Sequence, residues 1–146
     1  MAKPRTLFVT GNKKLDRVLS ELPFRIQGRI LRGALKECME PVLEEVKRVF
    51  PRDTGRTARL MRIKVGKPRR DGSRSVKLGV FRGTKGAKRH NFATARAIEF
   101  GTVDLPAQFP LRKSLSAKQA AALGVLETIL AREIPKQAAE FHRTGN

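Results

Sequence analysis

Leu31, Leu35, Cys38, Val42, Val46 and Val49 step along this chain by four, three, four, four and three residues. That rhythm places all six on one face of a long amphipathic helix beginning near Phe24. Pro41 lies inside the stripe. Without an N–H, and with its ring against the preceding turn, it predicts a kink or two helices meeting near Glu40. Pro51 ends the helix after Phe50. In the phrase Pro51-Arg52-Asp53-Thr54-Gly55-Arg56, Asp53 and Thr54 suit hydrogen bonds to nearby amides, and Gly55 suits a positive φ.

Two alternating runs follow. Met61-Arg62-Ile63-Lys64-Val65 and Val76-Lys77-Leu78-Gly79-Val80 each have one apolar and one basic face, as expected of a sheet covered on one side only. A long hairpin loop, about 66–75, joins them, and a second basic loop, 82–91, is rich in Gly and Lys. Ala93 to Phe100 fits either a strand or a short helix, ended by Gly101. Leu105 to Leu111, with Pro106 and Pro110, reads as an extended edge strand. Ser114 or Ser116 is expected to cap a last helix carrying Leu123, Leu126, Leu130 and Ile134. Pro135 should bend or end that helix, and the tail from His142 to Asn146 should fray. Upstream, Leu7-Phe8-Val9 reads as a short strand. Thr10-Gly11-Asn12 reads as a turn capping a helix with Leu15, Val18, Leu19 and Leu22. The expected fold is a single α+β domain over 1–146, with a small antiparallel sheet packed on one face by a long N-terminal helix and a C-terminal helix.

Charge narrows the partners. Lysine and arginine number 32 against 13 acids, a formal +19. Fourteen of those cations, with only Asp53 and Asp71 opposing them, fall between Pro51 and His90. Such a surface attracts polyanions, whether nucleic acid or an acidic protein face. The residues expected to meet them are Lys67, Arg69, Arg70 and Arg74 in the first loop, and Arg82, Lys85, Lys88 and Arg89 in the second. They can track phosphates without reading bases. Only Phe81 and Phe92, at the flanks, are aromatic, which gives little support for base stacking.

Catalytic and metal patterns are missing from the sequence. Cys38 is the single cysteine and sits in the apolar stripe, so neither an intramolecular disulfide nor a cysteine metal cluster is expected. His90 and His142 have no ligand partners at helical spacing. Gly79-Val80-Phe81-Arg82-Gly83-Thr84-Lys85 has one residue too few between its glycines for a phosphate loop, and Gly86 stands where Ser or Thr would ligate magnesium. Glu99 reads as a partner for an arginine and Asp104 as a turn residue. No cofactor, metal or catalysis is expected. No apolar run reaches the ~20 residues of a membrane span. Met1-Ala2-Lys3-Pro4-Arg5 does not resemble the start of a signal peptide, so synthesis in a reducing cytoplasm is expected.

Read together, several phrases resemble one family. Thr10-Gly11-Asn12-Lys13-Lys14-Leu15 with Leu19 and Leu22-Pro23, then Val49-Phe50-Pro51-Arg52-Asp53-Thr54-Gly55-Arg56, then Ala97-Ile98-Glu99-Phe100-Gly101-Thr102, then Pro106-Ala107-Gln108-Phe109-Pro110-Leu111-Arg112 occur in the family's order. They are similar to the head–tail joining, or neck and tail-completion, proteins of tailed bacteriophages, the gene-product-ten family of Hong Kong 97-like phages. Departures occur at Phe109-Pro110, inverted relative to the family's usual pair, at Lys113-Ser114, and at Arg96, where a tyrosine is common. The resemblance implies a virion structural protein made in the host bacterial cytoplasm, without catalysis and with no membrane partner. It implies a homo-oligomeric ring, six- or twelve-fold, in the neck between a connector or stopper and tail-terminator or tail-tube proteins. Double-stranded DNA would pass through the channel without sequence-specific contacts. Pro51, Asp53, Thr54, Gly55, Glu99, Phe100, Gly101 and Thr102 would then be scaffold. The alternative is a small basic nucleic-acid-binding protein.

Overall fold

The structure, a computed structural model, describes residues 13, 17, 22, 24–51, 55–71 and 73–144. The expected strand Leu7–Val9, the turn Thr10–Asn12, and Asp53 and Thr54 lie outside the described residues. The stripe folds as two helices, α1 (Phe24–Cys38) and α2 (Glu40–Val49), with Met39 alone between them. Pro41 occupies the first turn of α2, where its missing N–H would have had no intrahelical acceptor. Met39 stays near helical geometry, and its carbonyl accepts from the Leu43 N–H at 2.9 Å.

The buried face is not quite the one the spacing predicts. Ile30, Ala34, Cys38, Val42, Val46 and Phe50 are buried, every fourth residue. Leu31 and Leu35 are half-buried and Val49 is exposed. A row of i+4 side chains runs obliquely across a helix, so the contact line leaves those three at its margin. Phe50 turns to ψ 130° while its N–H still reaches the Val46 carbonyl at 2.8 Å. Pro51 enforces this, because a residue before proline is driven out of the helical region.

Gly55, at φ 66°, opens a single turn, α3 (Arg56–Arg59). This turn buries Ala58 and leads through buried Leu60 and Met61 into β1 (Arg62–Val65). β1 pairs antiparallel with β2 (Val76–Gly79), with Ile63 opposite Leu78 and Lys64 opposite Lys77. One face carries Ile63, Val65, Val76 and Leu78 toward the helices; the other carries Arg62, Lys64 and Lys77 to solvent.

Residues 93–100 take the helical of their two expected states. Three other expectations are corrected downstream. α4 (Arg89–Phe100) begins inside the expected loop because Asn91 caps it. Leu105–Leu111 forms no strand: Gln108 donates its N–H to the Ile98 carbonyl of α4 at 3.0 Å, and Pro106 and Pro110 have no N–H to give. The last helix, α5 (Pro110–Thr144), starts before Ser114 and Ser116 and runs 35 residues without ending at Pro135. Pro135 is exposed, while Ile134 beside it is buried with Leu22 and Ile30, and Leu130, Ala138 and Phe141 pack around them. The resulting α+β fold has one core around Val42, Val46, Phe50, Met61, Val80 and Ala95, and a smaller one at Ile30 and Ile134. α5 packs along both α1 and α2, tying the two together.

Candidate polyanion and subunit interface

The solvent face of the ribbon is uniformly basic. Lys64 and Lys77 stand directly opposite each other, an arrangement that costs stability, and neither strand contains an acid. Lys64 Nζ lies 5.8 Å from the centre of the Phe81 ring. Beyond the ribbon the hairpin loop is held by its own hydrogen bonds. Gly66 N–H donates to Ser75 O at 2.7 Å, Arg69 N–H to Ser73 O at 2.9 Å, and Ser73 N–H to Asp71 Oδ1 at 2.9 Å. The bonds from Ser73, with the charge of Arg69, hold the Asp71 carboxyl below the ordinary carboxylate range. Lys67, Arg69 and Arg70 are exposed on this loop.

Arg74 departs from the sequence expectation. It is half-buried and folds back, donating from Nη1 to the Gly66 carbonyl at 3.4 Å. A Cβ on Gly28 of α1 would stand 2.6 Å from Arg74 Nη2, so the guanidinium lies across a gap in the helix surface. Arg74 thus docks the hairpin on α1 rather than reaching outward.

The second loop makes two turns. Gly83 and Gly86 take φ of 82° and 83°, and Ala87 N–H donates to Thr84 O at 2.8 Å. The chain then enters α4. Lys88 donates its N–H to Asn91 Oδ1 at 3.1 Å, and Asn91 donates its own to the Lys88 carbonyl at 3.0 Å. This reciprocal cap starts α4, whose first turn carries Phe92. An open groove of ≈ 440 Å³ results, with Phe81, Phe92 and Ala87 as its apolar lining and Arg82, Lys88 and Arg89 around them. Arg82 Cζ sits 5.7 Å from the Phe92 ring centre. The two aromatics that flank the loop in sequence therefore line one groove. Lys85 is exposed beside them.

Glu99-Phe100-Gly101-Thr102 is built for a different task. Glu99 is 4% exposed, and its carboxylate accepts from the N–H groups of Leu111 at 2.8 Å and Arg112 at 3.3 Å. Those donors lie in the first turn of α5, where no intrahelical acceptor exists. Glu99 is thus the cap of α5, twelve residues away in sequence, and not an arginine partner. Gly101 takes φ 78°, and a Cβ there would meet Ala107 N and Leu105 O at 2.9 Å each. Thr102 closes the turn: its N–H donates to Leu105 O at 2.8 Å, and its hydroxyl accepts from Leu105 N–H at 3.1 Å. Phe109 adopts φ 54°, and its carbonyl accepts the Lys113 N–H at 2.9 Å, opening α5. Its ring carries the Arg112 guanidinium at 4.6 Å. Asn91, the target of Glu99 and the strained Phe109 all escape a sequence reading. The one available signal is Asn91 three residues after Lys88, a capping spacing.

Of the expected scaffold, Pro51, Gly55, Glu99, Gly101 and Thr102 act on the backbone as described, while Phe100 is 58% exposed and packs little within the subunit. Among the described residues no group of three or more His, Cys, Asp or Glu is placed to hold a metal, and no helix is long and apolar enough to cross a membrane. No curated protein and no solved structure matches the chain. The family described as "Bacteriophage HK97-gp10, putative tail-component" matches residues 13–101, from before α1 through the Gly101 turn. That span holds both the Pro51–Arg56 phrase and Glu99–Gly101, and stops short of Pro106–Arg112. Covering well over half of the sequence, the match shows that the chain belongs to the HK97-gp10 family of bacteriophage tail components.

Proposed function

We propose that this protein is a ring-forming structural component of the phage neck, joining the head connector to the tail around the DNA channel, with no catalytic role. The observation that carries the reading is the basic ribbon face. Lys64 opposite Lys77, with Arg62 beside them and Lys67, Arg69 and Arg70 on the adjoining loop, is a pairing that folding alone disfavours. A polyanion laid against that face removes the repulsion. Duplex DNA passing through a ring is such a partner, bound through phosphates and without sequence preference. Family membership supports the structural setting.

The test is assembly. Purified protein mixed with heads and tails that lack it should restore joined particles. It should also scatter light, or appear by negative stain, as closed multiples of the 16.3 kDa subunit. A chain that remains monomeric beside its neck partners, yet binds short duplexes tightly at physiological salt, would make it a free nucleic-acid binder and sink the proposal.

A further inference from the structure

A ring needs two unlike surfaces on every subunit that match each other across the contact. α4 carries such a pair at its two ends. Its N-terminal end borders the groove of Phe81, Phe92, Arg82, Lys88 and Arg89. Its C-terminal end leads into the turn Gly101–Leu105, where Val103 is fully exposed, Phe100 is 58% exposed and Leu105 is 37% exposed, around the carboxylate of Asp104. The turn is held out rigidly by the Gly101 backbone and the Thr102 closure.

We infer that the Val103-Asp104-Leu105 turn of one copy inserts into the aromatic, cationic groove of the next copy. The proposal rests on the ring reading above and names the surfaces that make the ring. The complementarity is chemical. Val103 and Leu105 are apolar groups exposed in the subunit, and Phe81 and Phe92 offer an apolar lining to cover them. Asp104 brings one carboxylate to a rim of three cations, in a chain that otherwise repels its copies with a formal +19. The geometry prevents self-insertion. Phe92, the groove residue furthest along α4, stands eight residues before Phe100 at the helix end, about 12 Å at 1.5 Å per residue, and the rigid helix between them keeps the turn out of its own groove. A plug at one end of a rigid rod and a socket at the other yield head-to-tail association. The second basic loop thereby faces a neighbouring subunit, and the ribbon and first loop remain for DNA.

Disulfide trapping combined with solution mass tests this. A chain carrying both Val103→Cys and Lys88→Cys, oxidised mildly at high concentration, should give a covalent ladder beyond the dimer. Each single variant should give no ladder, since the contact then lacks one of its two thiols and Cys38 is buried. In the unoxidised protein, Val103→Asp and Arg89→Glu should each raise the concentration for half-assembly by about tenfold or more. Asp104→Arg should do the same, and adding Arg89→Glu to it in the same chain should restore assembly in part. Circular dichroism should show each variant folded, because all these side chains are exposed. If the wild type forms closed oligomers but the double-cysteine chain makes no ladder and Val103→Asp leaves the mass unchanged, the assigned contact is wrong and the ring stands. If groove variants dissociate the oligomer and turn variants do not, another chain occupies the groove and the inference fails. A wild type that is monomeric at every concentration, with no ladder, overturns both.

Discussion

At Gly101 the backbone enters a region that a side chain resists, and the space around it is already filled by Ala107 N and Leu105 O. Gly101→Ala should therefore destabilise the protein by about 2 kcal/mol, read as a lower urea midpoint at unchanged slope. Gly33 is the contrasting case. It lies inside α1 with negative φ and open space around its missing Cβ, so Gly33→Ala should stabilise by about 0.5–1 kcal/mol. Glu99→Ala would leave two N–H groups of α5 without their acceptor, at a cost of about 1–3 kcal/mol in the same assay. Cys38 is a chemical probe of the same interior. Burial pushes its thiol above the ordinary value of 9.0, so the unfolded chain releases this proton first as pH rises. Its contribution to stability is thus complete below that ordinary value and lost as pH climbs through the higher folded value. Iodoacetamide should label it slowly at pH 8 until urea unfolds the chain, and rapid labelling of the native protein would contradict its burial.

Among the elements, the α1–α2 pair separates what spacing predicts from what packing selects. The stripe read from sequence ends on Val49, whereas the structure exposes Val49 and seals Phe50 at 2% exposure. Phe50→Ala should cost about 3–5 kcal/mol and Val49→Ala no more than about 0.5 kcal/mol; a reversed order in thermal or urea unfolding would restore the simpler stripe. α5 makes the complementary point. Pro135 removes a helical hydrogen bond on an exposed face, and the helix persists because Ile134, Leu130 and Phe141 pack around Ile30 and Leu22. Restoring the donor with Pro135→Ala should raise stability by about 1–3 kcal/mol. Helix periodicity, the Pro41 break, the Pro51 stop and the two alternating strands were all legible, because each is a local rule. The choice of helix over strand for 93–100 rested on a local cap, Asn91 on Lys88, whose residue types are not a usual capping pair. The early start of α5 was hidden, because its acceptor, Glu99, reaches it only once the elements are placed.

For the molecule as a whole the decisive quantity is the placement of its cations. Neutralising Lys64, Lys67, Arg69, Arg70 and Lys77 with glutamine should flatten the salt dependence of duplex binding, by about 0.9 in slope for each phosphate contact removed, while leaving assembly intact. An unchanged slope would take DNA away from the ribbon face. Composition alone raised the expectation of a polyanion partner but could not divide the charge. Arg74 looked like its neighbours in sequence and turned inward onto Gly28, and Phe81 and Phe92 looked like flanks and became one groove.

The sequence by itself determined the helices of 24–50 with their break and stop, the ribbon with its basic side, and the family to which the chain belongs, since these depend on side-chain period and on proline and glycine acting on their own backbone. Only the tertiary structure decided which cations reach solvent, what Glu99 holds, and that the groove of Phe81 and Phe92 and the exposed Val103 turn stand at opposite ends of α4. These depend on distances between residues far apart in the chain, and those distances are set by how α1, α2 and α5 pack.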